Sequence, residues 1–341
     1  MSLTKTEIKK LKQELLETHR PLIFFDDDAD GICAFALFYR FVKDGKGIIM
    51  KTYPKLDHRF VRKIDEYHPD KVFVLDTPEI TPEFIRDAKS KIVWLDHHQP
   101  NKQPGTVYFN PMVHDTKDDR PTSYWAFKVV EQDMWLSMVG CVGDWHLPDF
   151  APEFSKRYPD LLPPSIIRAE DALFETRIGF LSRIIGFIAK GPTREAMSCI
   201  KILTRVKNPY EILDQTTSQG KYIYKKYVKI NNRYENLKKG LKVDDEKLLL
   251  FMYPSSMMSF TSDLSNELLH KYPDKFIIVG RKKSGEAKLS LRSKNEKVLQ
   301  IVENALEGVD GYGGGHEYAC GACIKSRDFN KFVENIKRQL E

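Results

Sequence analysis

The stretch FFDDDADG at 24–31 sets four carboxylates, Asp26, Asp27, Asp28 and Asp30, within five residues directly behind the apolar run PLIFF. An apolar run of that length reads as a buried strand. Like charges gathered at the end of a buried strand repel one another and lose solvation. A fold that keeps them must bring them to an open edge of a sheet and supply counter-charge, and a bound cation is the simplest source.

The first half of the chain alternates in the way such an edge requires. Continuous apolar runs at 21–26, 47–53, 71–76 and 91–96 predict strands, and the segments 31–42, 57–68 and 81–89 carry helical patterns between them. Short, wholly apolar strands separated by helices imply a parallel sheet covered on both faces. Asp28, Asp76 and Asp96 then fall at the carboxyl ends of three different strands, where open α/β sheets place their sites. Residues 122–215 read as mostly helical. A length of 341 residues is too great for one small domain and comfortable for two. The expected fold class is α/β, with a parallel-sheet domain over 1–215, a helical basic connector over 216–243 and a smaller α/β domain over 244–341. In the last, strands are expected at 247–253, 275–283, 287–293 and 318–325, with a hairpin turn at Ser284-Gly285 and a Gly-Gly-Gly turn ahead of the final strand.

Further ligand-type residues stand at matching places. WLDHHQP supplies Asp96, His97 and His98 at a strand end, and GCVGD supplies Asp144 after glycines that allow close backbone approach. Carboxylates with imidazole suit a first-row divalent ion, and imidazole among hard oxygen donors favours Mn²⁺ over Ca²⁺, with Mg²⁺ as the alternative.

At these residues the sequence resembles the DHH superfamily of phosphoesterases, in the branch that carries a C-terminal DHHA1 domain. DDDADG looks like its first motif, Asp76 its second, DHH at 96–98 its third and GCVGD its fourth. SLRS at 290–293 and GYGGGHEYACG at 311–321 look like the substrate-binding motifs of DHHA1. The resemblance implies a catalytic pair of divalent cations. Asp28 and Asp76 would hold one, and Asp30, Asp76, His97 and Asp144 the other, with Asp76 bridging; His98 would contact the scissile phosphate and Asp96 belongs to the catalytic set. Many members have a histidine where Phe24 stands here. RecJ-type members instead use an aspartate at the position of Asp26, so the chain resembles RecJ-like nucleases and the compact oligoribonuclease (nano-RNase) members, in an archaeal-type form. Arg292, Ser293, Gly313, Gly314, Gly315 and His316 would receive the substrate's terminal phosphate or nucleotide.

The segment 217–242 carries eight Lys/Arg against one Glu, a surplus larger than the +6 of the whole chain. With tyrosines interleaved, Lys225, Lys226, Lys229 and Tyr227 are candidates to touch a nucleic-acid strand, because cations neutralise phosphates and rings stack on bases; a solvated helix joining two domains is the plainer reading. The expected partners are single-stranded nucleic acid or short oligonucleotides, together with replication or repair proteins. Five scattered cysteines make a disulfide framework unexpected. No apolar run approaches the roughly 20 residues of a membrane helix and the N-terminus is charged, so the expected location is the cytoplasm. The expected function is an exonuclease releasing nucleoside monophosphates. The alternatives are a small-molecule phosphoesterase acting on cyclic dinucleotides or 3′-phosphoadenosine 5′-phosphate, and a replication scaffold.

Overall fold

A computed structural model describes residues 2–51, 55–244, 246–254 and 258–340. Five parallel strands form the N-terminal sheet: β1 (Leu22–Asp26), β2 (Lys46–Met50), β4 (Lys71–Leu75), β6 (Lys91–Leu95) and β7 (Thr106–Phe109), in the order β2-β1-β4-β6-β7. A short ribbon pairs β3 (Lys55–Leu56) with β5 (Glu79–Ile80). The strand expected over 47–53 ends at Met50, and its last two residues lie outside the described residues. Strand β7 escapes sequence reading because only Phe109 of its four residues is buried, so no apolar run marks it.

Alternating side chains along β1 build both faces. Phe24 meets Phe60 and Phe84 edge-on at 5.8 Å, on the face covered by α3 (Val61–Tyr67) and α4 (Pro82–Ala88). Phe25 stacks on Phe35 at 4.3 Å, on the face covered by α2 (Ala29–Val42). Phe24 is therefore a core residue, fully enclosed. Beyond the sheet lie α5 (Thr122–Val130), α6 (Met134–Gly143), α7 (Ala151–Arg157), α8 (Ala169–Glu175), α9 (Arg177–Ile188), α10 (Thr193–Leu203) and α11 (Tyr210–Leu213).

The chain divides into two compact units, Met1–Ile230 and Asn231–Glu341, and the division falls inside the long helix α12 (Ser218–Lys238). Within the second unit, β8 (Leu248–Pro254), β9 (Phe276–Lys283), β10 (Glu286–Arg292), β11 (Gly311–His316) and β12 (Ala319–Lys325) form a mixed sheet in the order β11-β12-β10-β9-β8. Ser284 and Gly285, at φ +52° and +78°, make the tight hairpin between β9 and β10. The glycine run is not the turn expected from sequence. It is itself the edge strand, paired antiparallel to β12. Leu289, Leu291, Val298, Val302, Phe332 and Ile336 join the sheet to α14 (Val298–Ala305) and α15 (Phe329–Leu340), while α13 (Thr261–Lys271) packs against β9. Among the described residues no helix is long and apolar enough to cross a membrane.

Candidate metal centre

Three strand ends deliver the first carboxylates. Asp26 closes β1, Asp28 caps α2 by accepting from the Gly31 N–H at 2.9 Å, and Asp30 lies in the first turn of α2, buried. Gly31 is obligatory here, because a Cβ would sit 2.8 Å from the Asp26 carbonyl oxygen. Asp76 follows β4 with a left-handed backbone, φ +56°. Aspartate tolerates that region better than most residues, at a cost of about 1–2 kcal/mol. Asp96 follows β6 with its N–H bonded to the Phe109 carbonyl at 3.1 Å, so the unforeseen strand β7 anchors the DHH segment. Asp144 ends α6.

These residues converge. Their ligand atoms fall into three groups, each within 4.8 Å of one another: Asp26, Asp28 and Asp76; Asp30, His97 and Asp144; and Asp76, His97 and His98. Asp76 and His97 are shared between groups. Carboxylate oxygens with one or two imidazoles, gathered at such spacing, fit hard divalent cations. Asp27 belongs to none of the groups and lies beside Lys51, whose charge it favours. Asp96 is also in none. It is fully buried, and its carboxylate takes the His98 Nδ1–H at 2.8 Å and the His98 backbone N–H at 3.1 Å. Asp96 thus aims His98.

The electrostatics show what the cluster lacks. Burial raises the pKa of Asp26, and the charges of Asp28 and Asp76 add to it; Asp28, open to solvent at the mouth, is likewise raised by the protein around it, Asp76 and Asp30. Asp30 is pushed up to about 8 by burial with Asp76 and Asp144. Asp144 rises to about 7, through burial against the opposing pull of His97. Asp76 is the exception: burial pushes it up, but the His97 hydrogen bond and the charges of His97 and His98 hold it below its usual value. Burial disfavours charge on His97, and Asp144 and Asp76 more than offset that, lifting its pKa well above the ordinary imidazole range. His97 Nε2 lies 3.4 Å from Asp76 and 3.5 Å from Asp144, so its proton stands between two carboxylates where a cation is most favoured. His98 reaches about 9, its burial outweighed by Asp96.

Sequence reading missed the residues that hold this arrangement. The Thr122 N–H donates to Asp30 Oδ2 at 2.7 Å, the Ser123 N–H donates to Asp30 Oδ1 at 3.0 Å, and the Ser123 hydroxyl bonds the same oxygen. Thr122 Oγ1 donates to Asp76 at 3.3 Å, and Asn110 Nδ2 donates to the His98 carbonyl at 2.8 Å. The sequence signal was only that of a helix start, Pro-Thr-Ser ahead of an apolar run. Helix α6 brings Gly140 against the same pair: a Cβ there would meet Ser123 Oγ at 2.3 Å and Asp30 Oδ1 at 3.1 Å. Gly140→Ala is expected to cost about 1–3 kcal/mol by overpacking, read as a lowered Tm of the metal-free protein; an unchanged Tm would show that the helix can move aside. Cys33 and Cys141 are buried, and that burial drives both thiol pKa values up.

In the second unit, Arg292 is half-buried at the end of β10. Its guanidinium donates to Asn266 Oδ1 at 2.8 Å and to the Leu291 and Cys320 carbonyls at 2.9 and 3.2 Å, and burial brings its pKa down to about 10. No carboxylate among the described residues pairs with it. Ser293 is buried and its hydroxyl caps the following turn, accepting from the Asn295 and Glu296 N–H groups. Gly314 and His316 are exposed on the edge strand, Gly313 half-exposed, and Gly315 (φ +148°) could not carry a Cβ, which would lie 2.4 Å from the Ala319 carbonyl oxygen. Cys320 and Cys323 lie three residues apart on β12 and so face opposite ways, which rules out a disulfide between them.

The connector corrects one expectation. Tyr227 is buried, its ring against Phe180 and Phe187 at 5.4 and 5.9 Å, so it cannot stack on a base. Lys226 is largely covered and paired to Glu195. Lys225 and Lys229 are exposed.

Residues 20–154 match the DHH family, N-terminal domain, and residues 258–341 match the DHHA1 domain. Together these spans take in well over half the chain, and the chain belongs to the DHH family in the architecture that carries a DHHA1 domain. Its fold is that of RecJ from Thermus thermophilus in complex with Mn²⁺ (TM-score 0.70, 17% identity, covering 99% of this chain and 55% of that one). It is also that of a manganese-bound exonuclease RecJ (TM-score 0.62, 16% identity, 99% and 95% covered). A pGpG-specific phosphodiesterase from Vibrio cholerae is more distant (TM-score 0.50, 13% identity, 94% and 98% covered). The chain thus spans about half the length of the Thermus protein. No curated protein matches it in sequence.

Proposed function

We propose that this chain is a divalent-metal-dependent phosphodiesterase, an exonuclease acting on single-stranded RNA or DNA or on short oligonucleotides and releasing nucleoside monophosphates. The observation that carries the reading is the meeting of Asp26, Asp28, Asp30, Asp76, His97 and Asp144 in donor groups that share Asp76 and His97. The groups suit two cations: Asp26, Asp28 and Asp76 for one, Asp30, His97 and Asp144 for the other, with Asp76 between them. Mn²⁺ is the leading candidate and Mg²⁺ the alternative. When bound, such a pair supplies an activated water and neutralises charge on the phosphate under displacement.

The chain's own residues do the rest. Asp96 holds the Nδ1–H of His98, which leaves Nε2 to present a proton to a phosphate oxygen. In the metal-free protein the Asp96 bond outweighs burial and favours that proton on His98. Arg292 offers a planar fork and β11 a row of edge-strand amides to a further phosphate. Lys225 and Lys229 on α12 add cations for a longer strand.

The test is incubation with Mn²⁺ and end-labelled RNA and DNA oligomers of several lengths, beside pGpG, a cyclic dinucleotide and 3′-phosphoadenosine 5′-phosphate. A ladder of shortened oligomers supports the nuclease. Hydrolysis of the small molecules alone refutes it in favour of the small-molecule phosphoesterase, the reading that the shared fold with the pGpG-specific enzyme favours. Lys225→Glu with Lys229→Glu is expected to weaken binding of long strands and to lower the salt slope by about 2, one unit for each lost phosphate contact. An unchanged slope in a filter-binding series would return α12 to a plain linker.

A further inference from the structure

We infer that residues 119–123 are a positioning element for one of the two ions, and that the group Asp30, His97 and Asp144 therefore binds a divalent cation more tightly than the group Asp26, Asp28 and Asp76. The inference rests on the two-ion reading proposed above.

The two groups are supported unequally. Both oxygens of Asp30 are held: Oδ2 by the Thr122 N–H, Oδ1 by the Ser123 N–H and hydroxyl. The Asp119 carbonyl lies 3.0 Å from His97 Nδ1. A carbonyl only accepts, so Nδ1 carries the hydrogen and Nε2 is the nitrogen left to ligate. One five-residue segment thus fixes the rotamer of one ligand and the tautomer of another before any ion arrives. The segment is itself pinned. Arg120 donates to Asp118 through Nε at 2.7 Å and to the Tyr124 hydroxyl at 2.9 Å, and its guanidinium lies 4.4 Å from the Trp125 ring.

Among the described residues the Asp26 and Asp28 carboxylates of the other group are held only from their own loop and helix start. Asp26 accepts from the neighbouring Asp27 N–H, and Asp28 accepts from Gly31 and is exposed. Asp76 receives two long contacts, from Thr122 Oγ1 at 3.3 Å and from His97 Nε2 at 3.4 Å, and the second is to a side chain that an ion would itself engage. Ligands that must be ordered by the ion bind it more weakly than ligands already in place. Ser123 and Thr122 act through Asp30 and Asp76 and are positioning residues, not catalytic ones.

The experiment is a substrate-free Mn²⁺ titration of the full chain, following the EPR signal of free Mn²⁺. Wild type is expected to show two classes of site. Asp28→Asn should remove the weaker class and leave the tighter one at wild-type affinity. Ser123→Ala should weaken the tighter class about 10–100-fold and leave the weaker within about twofold, with the metal-free Tm reporting that the variant folds. Equal weakening of both classes by Ser123→Ala overturns the inference, and so does loss of the tighter class in Asp28→Asn. The Asp28→Asn arm decides the matter even if Ser123→Ala does not fold. No Mn²⁺ uptake by wild type would instead bring down the two-ion reading itself.

Discussion

Asp76→Asn is expected to lower the turnover rate by about 10³-fold or more, equivalent to about 4 kcal/mol of transition-state stabilisation. Asp76 is a member of the Asp26–Asp28 group and lies 3.4 Å from His97 of the other, so its loss removes a ligand from one ion site and a neighbour from the edge of the second. The substitution keeps the shape of the side chain and, like aspartate, asparagine accepts the left-handed backbone at this position. The metal-free Tm should therefore stay within a few degrees of wild type. Asp76→Ala is a poorer test, because alanine lacks the short polar side chain that eases the φ of +56°. Turnover within tenfold of wild type, with Mn²⁺ uptake retained, would remove Asp76 from the centre.

The second large effect is a pH-dependent stabilisation by metal. In the metal-free protein the pKa of Asp30 is about 8 and that of Asp144 about 7, against 3.8 for an ordinary aspartate. Across that interval the folded state binds more protons than the unfolded chain, so stability from these groups is present at low pH and is lost as pH rises through 7 and 8. Cations compete with those protons and relieve the repulsion that ionisation creates. The metal-free Tm should fall between pH 6 and pH 8.5, and added Mn²⁺ should raise it more at pH 8.5 than at pH 6. A site at 100-fold excess over its Kd contributes about 2.7 kcal/mol. A Mn²⁺-induced shift of equal size at both pH values would show that the carboxylates ionise without difficulty and that the cluster is not charge-starved.

The strand-end carboxylates and the histidine pair were legible because a parallel sheet sends every strand's carboxyl end to the same edge. Asp26, Asp28 and Asp76 therefore meet although the chain separates them, and β1 lies directly beside β4. The supports were not legible. Thr122 and Ser123 reach Asp30 across more than ninety residues, and a helix-start pattern names no distant partner. The glycine strand carries no strand signal in the sequence, because strands are recognised by alternating side chains and this one has almost none. Composition alone marks Tyr227 as available to a base, whereas its spacing along α12 places it inside. Ile223, Tyr227, Ile230, Tyr234 and Leu237 recur every three or four residues along α12 and are all buried, the pattern of a packed helix face. Lys221, Lys225 and Lys229 are exposed, while Lys226 is largely covered against Glu195.

The central claim is that this cluster binds a pair of divalent cations. Diffraction from crystals grown with Mn²⁺, recorded at the manganese absorption edge, tests it most directly. The account predicts two anomalous peaks, one ringed by Asp26, Asp28 and Asp76 and the other by Asp30, His97 and Asp144. Manganese bound elsewhere, with the Asp76 carboxylate touching no ion, would contradict it.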